Sequence, residues 1–125
     1  MIKFEDPIQF SLQKESCNLK VAYTNLMEIS QGGPEVGYLS INGSLINNYR
    51  FGGPCLIDGE FVYAPIYVKK FFGTGFKLAK IHATSLEVVT KGKTKDLVYL
   101  DKIKDGKVHF FEDINKTISR SCDII

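Results

Sequence analysis

The chain has 125 residues, 44% of them hydrophobic and 24% charged, with a formal net charge of +2. That length is one domain's worth, large enough to bury a core without disulfide or metal staples, and the hydrophobic fraction is too high for a disordered chain. No run approaches the roughly 18 apolar residues of a membrane-spanning helix, so no membrane role is expected. Residues 1–7 place acids and a proline where a secretory signal carries an apolar run, and the expected location is cytoplasmic.

Side-chain chemistry points to strands. Ile and Val together number 21 against 4 Ala, and 15 more residues are Phe or Tyr. β-branched and aromatic groups suit a pleated, packed surface. In chain order, 8–13 and 19–24 read as strands, and a weak helical pattern over 23–30 holds Leu26, Met27 and Ile29. Gly32-Gly33-Pro34 marks a loop over 30–36. Asn42-Gly43 then joins two strands as a hairpin, because this dipeptide accepts the positive φ angles of a two-residue turn. The implied register pairs Leu39 with Ile46 and Ile41 with Ser44. Tyr38, Ser40, Leu45 and Asn47 are left on the opposite, partly polar face.

Gly52-Gly53-Pro54 marks a second loop, over 47–54. Asp58-Gly59 predicts another hairpin, whose strands are apolar on both faces and therefore belong at the centre of a sheet or in a sandwich. Pro65, which cannot donate to a ladder, marks an edge, bulge or bend within 61–68. Strands follow over 76–82, 86–90 and 97–103, with a turn over 91–94, and Asp105-Gly106 predicts a third hairpin. Near the C-terminus, Asp113 is placed to cap a short helix carrying Ile114 and Ile118 on one face. The expected fold is mainly β: a single small antiparallel sandwich or partly open barrel built of hairpins, spanning residues 1–125, with at most one or two short helices.

No catalytic set assembles from the sequence. Cys17, Cys55 and Cys122 are odd in number, far apart and without a C-x-x-C, which argues for free thiols over a zinc site or a disulfide framework. A Cys–His pair would have to join Cys55 to His82 or His109, and no spacing supports contact. Acid–base pairs would come from Asp58, Glu60, Glu87, Asp101 and Asp105, of which Asp58 and Asp105 already serve turns. Gly92-Lys93-Thr94 resembles the end of a phosphate loop, but Glu87 occupies the position of its first glycine. No cofactor or metal is expected.

Charge is unevenly spread. Residues 1–65 balance to −3, residues 66–110 to +6 and residues 111–125 to −1. All ten cations of the middle segment are lysines. Within it, Lys69, Lys70, Phe71, Phe72, Phe76 and Lys77 surround Gly73 and Gly75, and an aromatic anchor rimmed by lysines suits a protein interface. The expected function is a non-catalytic protein-binding module, an inhibitor or immunity-type protein that occludes a partner protein such as a toxin. The alternative is nucleic-acid or anionic-ligand binding through residues 66–110. The absence of arginine there places it second, since bidentate phosphate or guanine recognition favours Arg.

Overall fold

The computed structural model describes residues 5–29, 31, 33–69 and 74–123. Among these residues there are eleven strands and no helix, hence no helix long and apolar enough to cross a membrane. An eight-stranded antiparallel sheet curls into an open half-barrel. It contains β1 (Gln13–Ser16), β2 (Leu19–Glu28), β3 (Glu35–Ile41), β4 (Ser44–Phe51), β6 (Phe61–Lys69), β7 (Thr74–His82) and β8 (Val88–Lys95) in that spatial order. β5 (Leu56–Asp58) pairs beside β6. A second sheet holds β9 (Tyr99–Lys104), β10 (Lys107–Phe111) and β11 (Ser119–Asp123), with β10 in the middle.

The hairpins form for the reasons their turns suggest. Asn42 and Gly43 take φ of 50° and 87°, and Leu39 faces Ile46 while Ile41 faces Ser44, the expected register. Asp105 and Gly106, at 54° and 73°, close β9 onto β10. The middle hairpin is shifted by one residue. Asp58 pairs with Phe61, so the turn is Gly59-Glu60 with positive φ at Gly59 alone, the pattern of a II′ rather than a I′ turn. A fourth two-residue turn, Cys17-Asn18, joins β1 to β2 with φ of 52° and 64°. It carries no glycine and gave no signal in the sequence.

Several expectations are corrected. The stretch from Tyr23 to Glu28 is strand, not helix: antiparallel pairing with β3 overrides the weak pattern, and Asn25, at φ 54°, forms a bulge. Ser30, the end of that stretch, lies outside the described residues. The C-terminal helix is a turn. The Asp113 carboxylate accepts hydrogen bonds from the Thr117 and Ile118 amides at 2.9 Å each, and the Glu112 amide reaches the Ile118 carbonyl at 2.9 Å, so β10 reverses directly into β11. Residues 47–51 and 91–94 belong to β4 and β8 rather than to a loop and a turn, because bulges absorb their glycine and asparagine. The first strand begins only at Gln13. Asp6 accepts from the amides of Ile8 and Gln9 at 2.8 Å, turning the chain before it can extend.

β6 and β7 form a wall with a core on each side. Val62, Ala64, Ile66, Ala79 and Ile81 point into the curl of the large sheet, meeting Val21, Leu39, Ile41, Ile46 and Phe51. Tyr63, Phe76 and Leu78 point the other way, onto Leu100, Val108 and Phe110 of the small sheet. This explains why the hairpin is apolar on both faces. Each fully buried aliphatic group contributes about 1.5–3 kcal/mol. Pro65 sits where β6 passes from pairing with β5 to pairing with β4. Its carbonyl accepts from Gly52 N at 2.8 Å, and its missing N–H lies on that same interrupted side.

Residues 5–12 strap the open side. The Phe10 ring packs edge-on against Tyr23 at 4.9 Å, Tyr99 donates to the Glu5 carbonyl at 2.8 Å, and Glu35 N donates to the Pro7 carbonyl at 3.1 Å. Lys14 ties the strap to the sheet through Glu5 at 3.2 Å and the Cys55 carbonyl at 2.9 Å.

Candidate functional site

The small sheet covers only part of the outer face of the large one. Val36 is still inside that second core, but from Tyr38 onward the outer face of β2–β4 is open. Gln13, Ala22, Ser40 and Leu45 form one row across it by register, and Thr24 lies beside Tyr38 in the next. Leu45 is 50% exposed. The Arg50 guanidinium lies 4.4 Å from the centre of the Tyr38 ring. It donates to the Asn25 carbonyl at 3.1 Å and to the Tyr38 hydroxyl at 3.3 Å. The bulge at Asn25 turns that carbonyl toward the arginine, so the cation is held in place before any partner arrives. An exposed leucine, a half-buried tyrosine and a fixed arginine on an open sheet face can bury apolar area and present a directed charge. Tyrosine and arginine are among the residue types that carry most interface energy.

Of the residues singled out in the sequence, Lys70, Phe71 and Phe72 lie outside the described residues. Lys69 is exposed at the end of β6 and Lys77 is half-buried on β7. Phe76 is 3% exposed and packs against Tyr67 at 5.8 Å, so its ring belongs to the second core and has no surface to offer as an anchor.

The remaining lysines of the segment divide among several strands, and acids meet them. Lys95 lies 3.3 Å from Glu112, which also takes Arg120 at 2.7 Å, and Lys107 lies 2.7 Å from Asp123. Partial burial pushes the Glu112 carboxyl up, but hydrogen bonds from Arg120 and Lys95 outweigh it and hold the group below its usual range. The hydrogen bond to Asp123 raises Lys107, and its partner is lowered in turn. Lys80 sits over the Phe61 ring at 4.2 Å. Among the described residues of 66–110 the lysines are thus spread over β6 to β10, and two of them, Lys95 and Lys107, are met by acids from outside the segment.

The reactive groups considered from sequence stay apart. Cys55 is 1% exposed beneath the strap, where burial raises its thiol and Tyr23 and Lys14 are its polar neighbours. His82 accepts from the Thr84 and Ser85 amides at 3.3 and 3.1 Å, fixing the turn between β7 and β8. His109 meets the Lys104 carbonyl at 3.4 Å on the small sheet. Among the described residues no three His, Cys, Asp or Glu side chains gather as a metal site. No protein family, curated protein or solved structure matches this chain.

Proposed function

We propose that this chain is a non-catalytic protein-binding module of the inhibitor or immunity type, one that occludes a partner protein such as a toxin with the outer face of β2–β4. The observation carrying the proposal is the Arg50–Tyr38 pair beside exposed Leu45. Ordering a free arginine at an interface costs roughly 0.5–1.5 kcal/mol. Here the ring, the Asn25 carbonyl and the Tyr38 hydroxyl have already restricted it. Lys20 on the same face is paired by Glu15 at 3.4 Å, and around Arg50 the complementary partner surface is apolar with one carboxylate.

The test is affinity capture with the tagged chain, identification of the bound protein, and measurement of its dissociation from purified variants. Tyr38→Ala and Arg50→Ala should each cost about 2 kcal/mol or more, near thirtyfold in Kd, mostly through faster dissociation. Lys69→Gln with Lys70→Gln is the paired arm. Loss of binding there, with Tyr38 and Arg50 variants unchanged, would place the docking face at 69–77 and overturn this one.

A further inference from the structure

The strap over the open side of the half-barrel, residues 5–12, holds its own shape. Asp6 and Gln9 exchange backbone hydrogen bonds at 2.8 and 3.0 Å, and the Asp6 carboxylate takes the Ile8 and Gln9 amides at 2.8 Å. The Glu5 carboxylate reaches forward to the Ser11 amide at 3.0 Å. Closed on itself in this way, the segment can move without first coming apart.

Its ties to the body are scattered single contacts. Among the described residues the polar ones are the Pro7 carbonyl with Glu35 N, the Glu5 carbonyl with the Tyr99 hydroxyl, and the Glu5 carboxylate with Lys14. The Leu12 carbonyl, which accepts from Tyr23 N at 2.8 Å, extends the β1–β2 ladder and is the point about which the strap would swing. Little apolar surface resists that motion. Pro7 is buried and Phe10 half-buried, while Ile8 and Leu12 stay 42% and 46% exposed. A segment with few buried apolar groups and no ladder of its own belongs to the low-stability end of a fold. Beneath it, the Phe10 ring lies directly on Gly53, where a Cβ would overlap it, with Tyr23 as one wall and Cys55 covered to 1% exposure. Lys14 donates to the Cys55 carbonyl as well as to Glu5, so one ammonium holds both the strap and the loop under it.

We propose that residues 5–12 open as one unit while the half-barrel stays paired, uncovering the Gly53 shelf, Tyr23 and Cys55. The strap is then a lid on the mouth of the half-barrel rather than a fixed part of its wall. Its opening is separate from the β2–β4 face and stands whether or not that face docks a protein.

In the full chain carrying Cys17→Ser and Cys122→Ser, Cys55 is the one remaining thiol, and its alkylation by iodoacetamide reports the opening. Its protection relative to the urea-unfolded chain should be at least tenfold smaller than the exchange protection of amides 78–81, which β7 pairs on both sides. The Glu35 amide, bonded to Pro7, should exchange with the same lower protection and the same shallow dependence on urea. Tyr99→Phe removes one tie from outside the strap and should speed both processes about fivefold, the scale of one neutral hydrogen bond. Gly53→Ala, which sets a methyl in the seat of the Phe10 ring, should speed them from the other end, with amides 78–81 following less. Cys55 protected as strongly as those amides, with their steep urea dependence, would mean that the strap opens only on global unfolding, and overturns the proposal. Alkylation at the unfolded rate overturns it too, since no closed strap would exist. So does a Tyr99→Phe variant that frees the Glu35 amide but not Cys55, which would mean fraying residue by residue.

Discussion

Gly37 lies on β3 tight against β2, and substituting it probes the curl of the large sheet directly. A Cβ added there would stand 2.6 Å from the Thr24 carbonyl oxygen and 2.8 Å from Leu26 Cδ2. The first is backbone and cannot swing aside as a side-chain tip would. Gly37 also sits across from the Asn25 bulge, so relief requires β2 and β3 to separate at a point where the sheet is already distorted. Overpacking of this kind costs roughly 1–3 kcal/mol, against which the stiffer unfolded chain of Gly37→Ala returns about 0.4–1 kcal/mol. The net expectation is a loss of about 1–2 kcal/mol, equivalent to a fall in Tm of roughly 3–10 °C for a chain of this size. Gly52→Ala is the control, because its nearest neighbour would be Phe76 Cε1 at 3.4 Å, close to ordinary contact. Thermal unfolding by circular dichroism and urea titration should rank Gly37→Ala below the parent and Gly52→Ala near it. A Gly37→Ala variant as stable as Gly52→Ala would refute the close approach and the bulge geometry with it.

Two other expectations rest on single polar contacts. Tyr23, 6% exposed, donates to the Gly52 carbonyl at 2.7 Å, so Tyr23→Phe should cost about 1–2 kcal/mol in urea unfolding, with an unchanged m-value, by leaving that buried acceptor unmet. Burial, reinforced by Cys55, raises the Tyr23 phenol well above the ordinary value, so spectrophotometric titration should find it still protonated when exposed tyrosines have ionised. Hydrogen bonds from Thr117 and the Ile118 amide lower the Asp113 carboxyl. Its contribution to the β10–β11 turn is therefore complete above the usual aspartate range and fades as pH falls through the lowered value. The Thr117 and Ile118 amide resonances should report that transition below the usual range, and Asp113→Asn should abolish it.

The parts of the fold legible in the sequence were those set by local chemistry. Asn42-Gly43 and Asp105-Gly106 specify their turns because adjacent residues must both accept positive φ, and the alternation of Leu39, Ile41 and Ile46 then fixes the buried face. The shared wall was foreshadowed by the two-faced apolar character of residues 61–64, since only a covered strand tolerates it. Local chemistry misleads where a short polar motif has two uses. Asp113 accepts backbone amides in either a helix cap or a closed turn, and pairing of β10 with β11 decides in favour of the turn.

The candidate surfaces depend on something with a weaker signature, the number of residues inserted at a bulge. Had the pairing of Leu39 with Ile46 continued without interruption, Gly37 would face Asn48 and Glu35 would face Arg50. Arg50 would then point into the core and Phe51 to solvent. Instead Gly37 faces Phe51, an excess of three residues in β4. An odd excess exchanges the two faces of the strand. Phe51 enters the core at 0% exposure, and Arg50 turns outward onto Tyr38. In β8 the excess is two, which preserves the faces and keeps Lys91 and Lys95 on the side of Leu78 and Phe76. The energetic reason for the odd insertion is plain: burying Phe51 and keeping a guanidinium in water both favour it, and an unbulged ladder would sacrifice both for a few backbone hydrogen bonds that water can replace. The Arg50–Tyr38 pair is thus a consequence of how β4 buries Phe51. Removing the Phe51 ring should release the register as well as the core, which makes the Arg50–Tyr38 face and the half-barrel one structural decision.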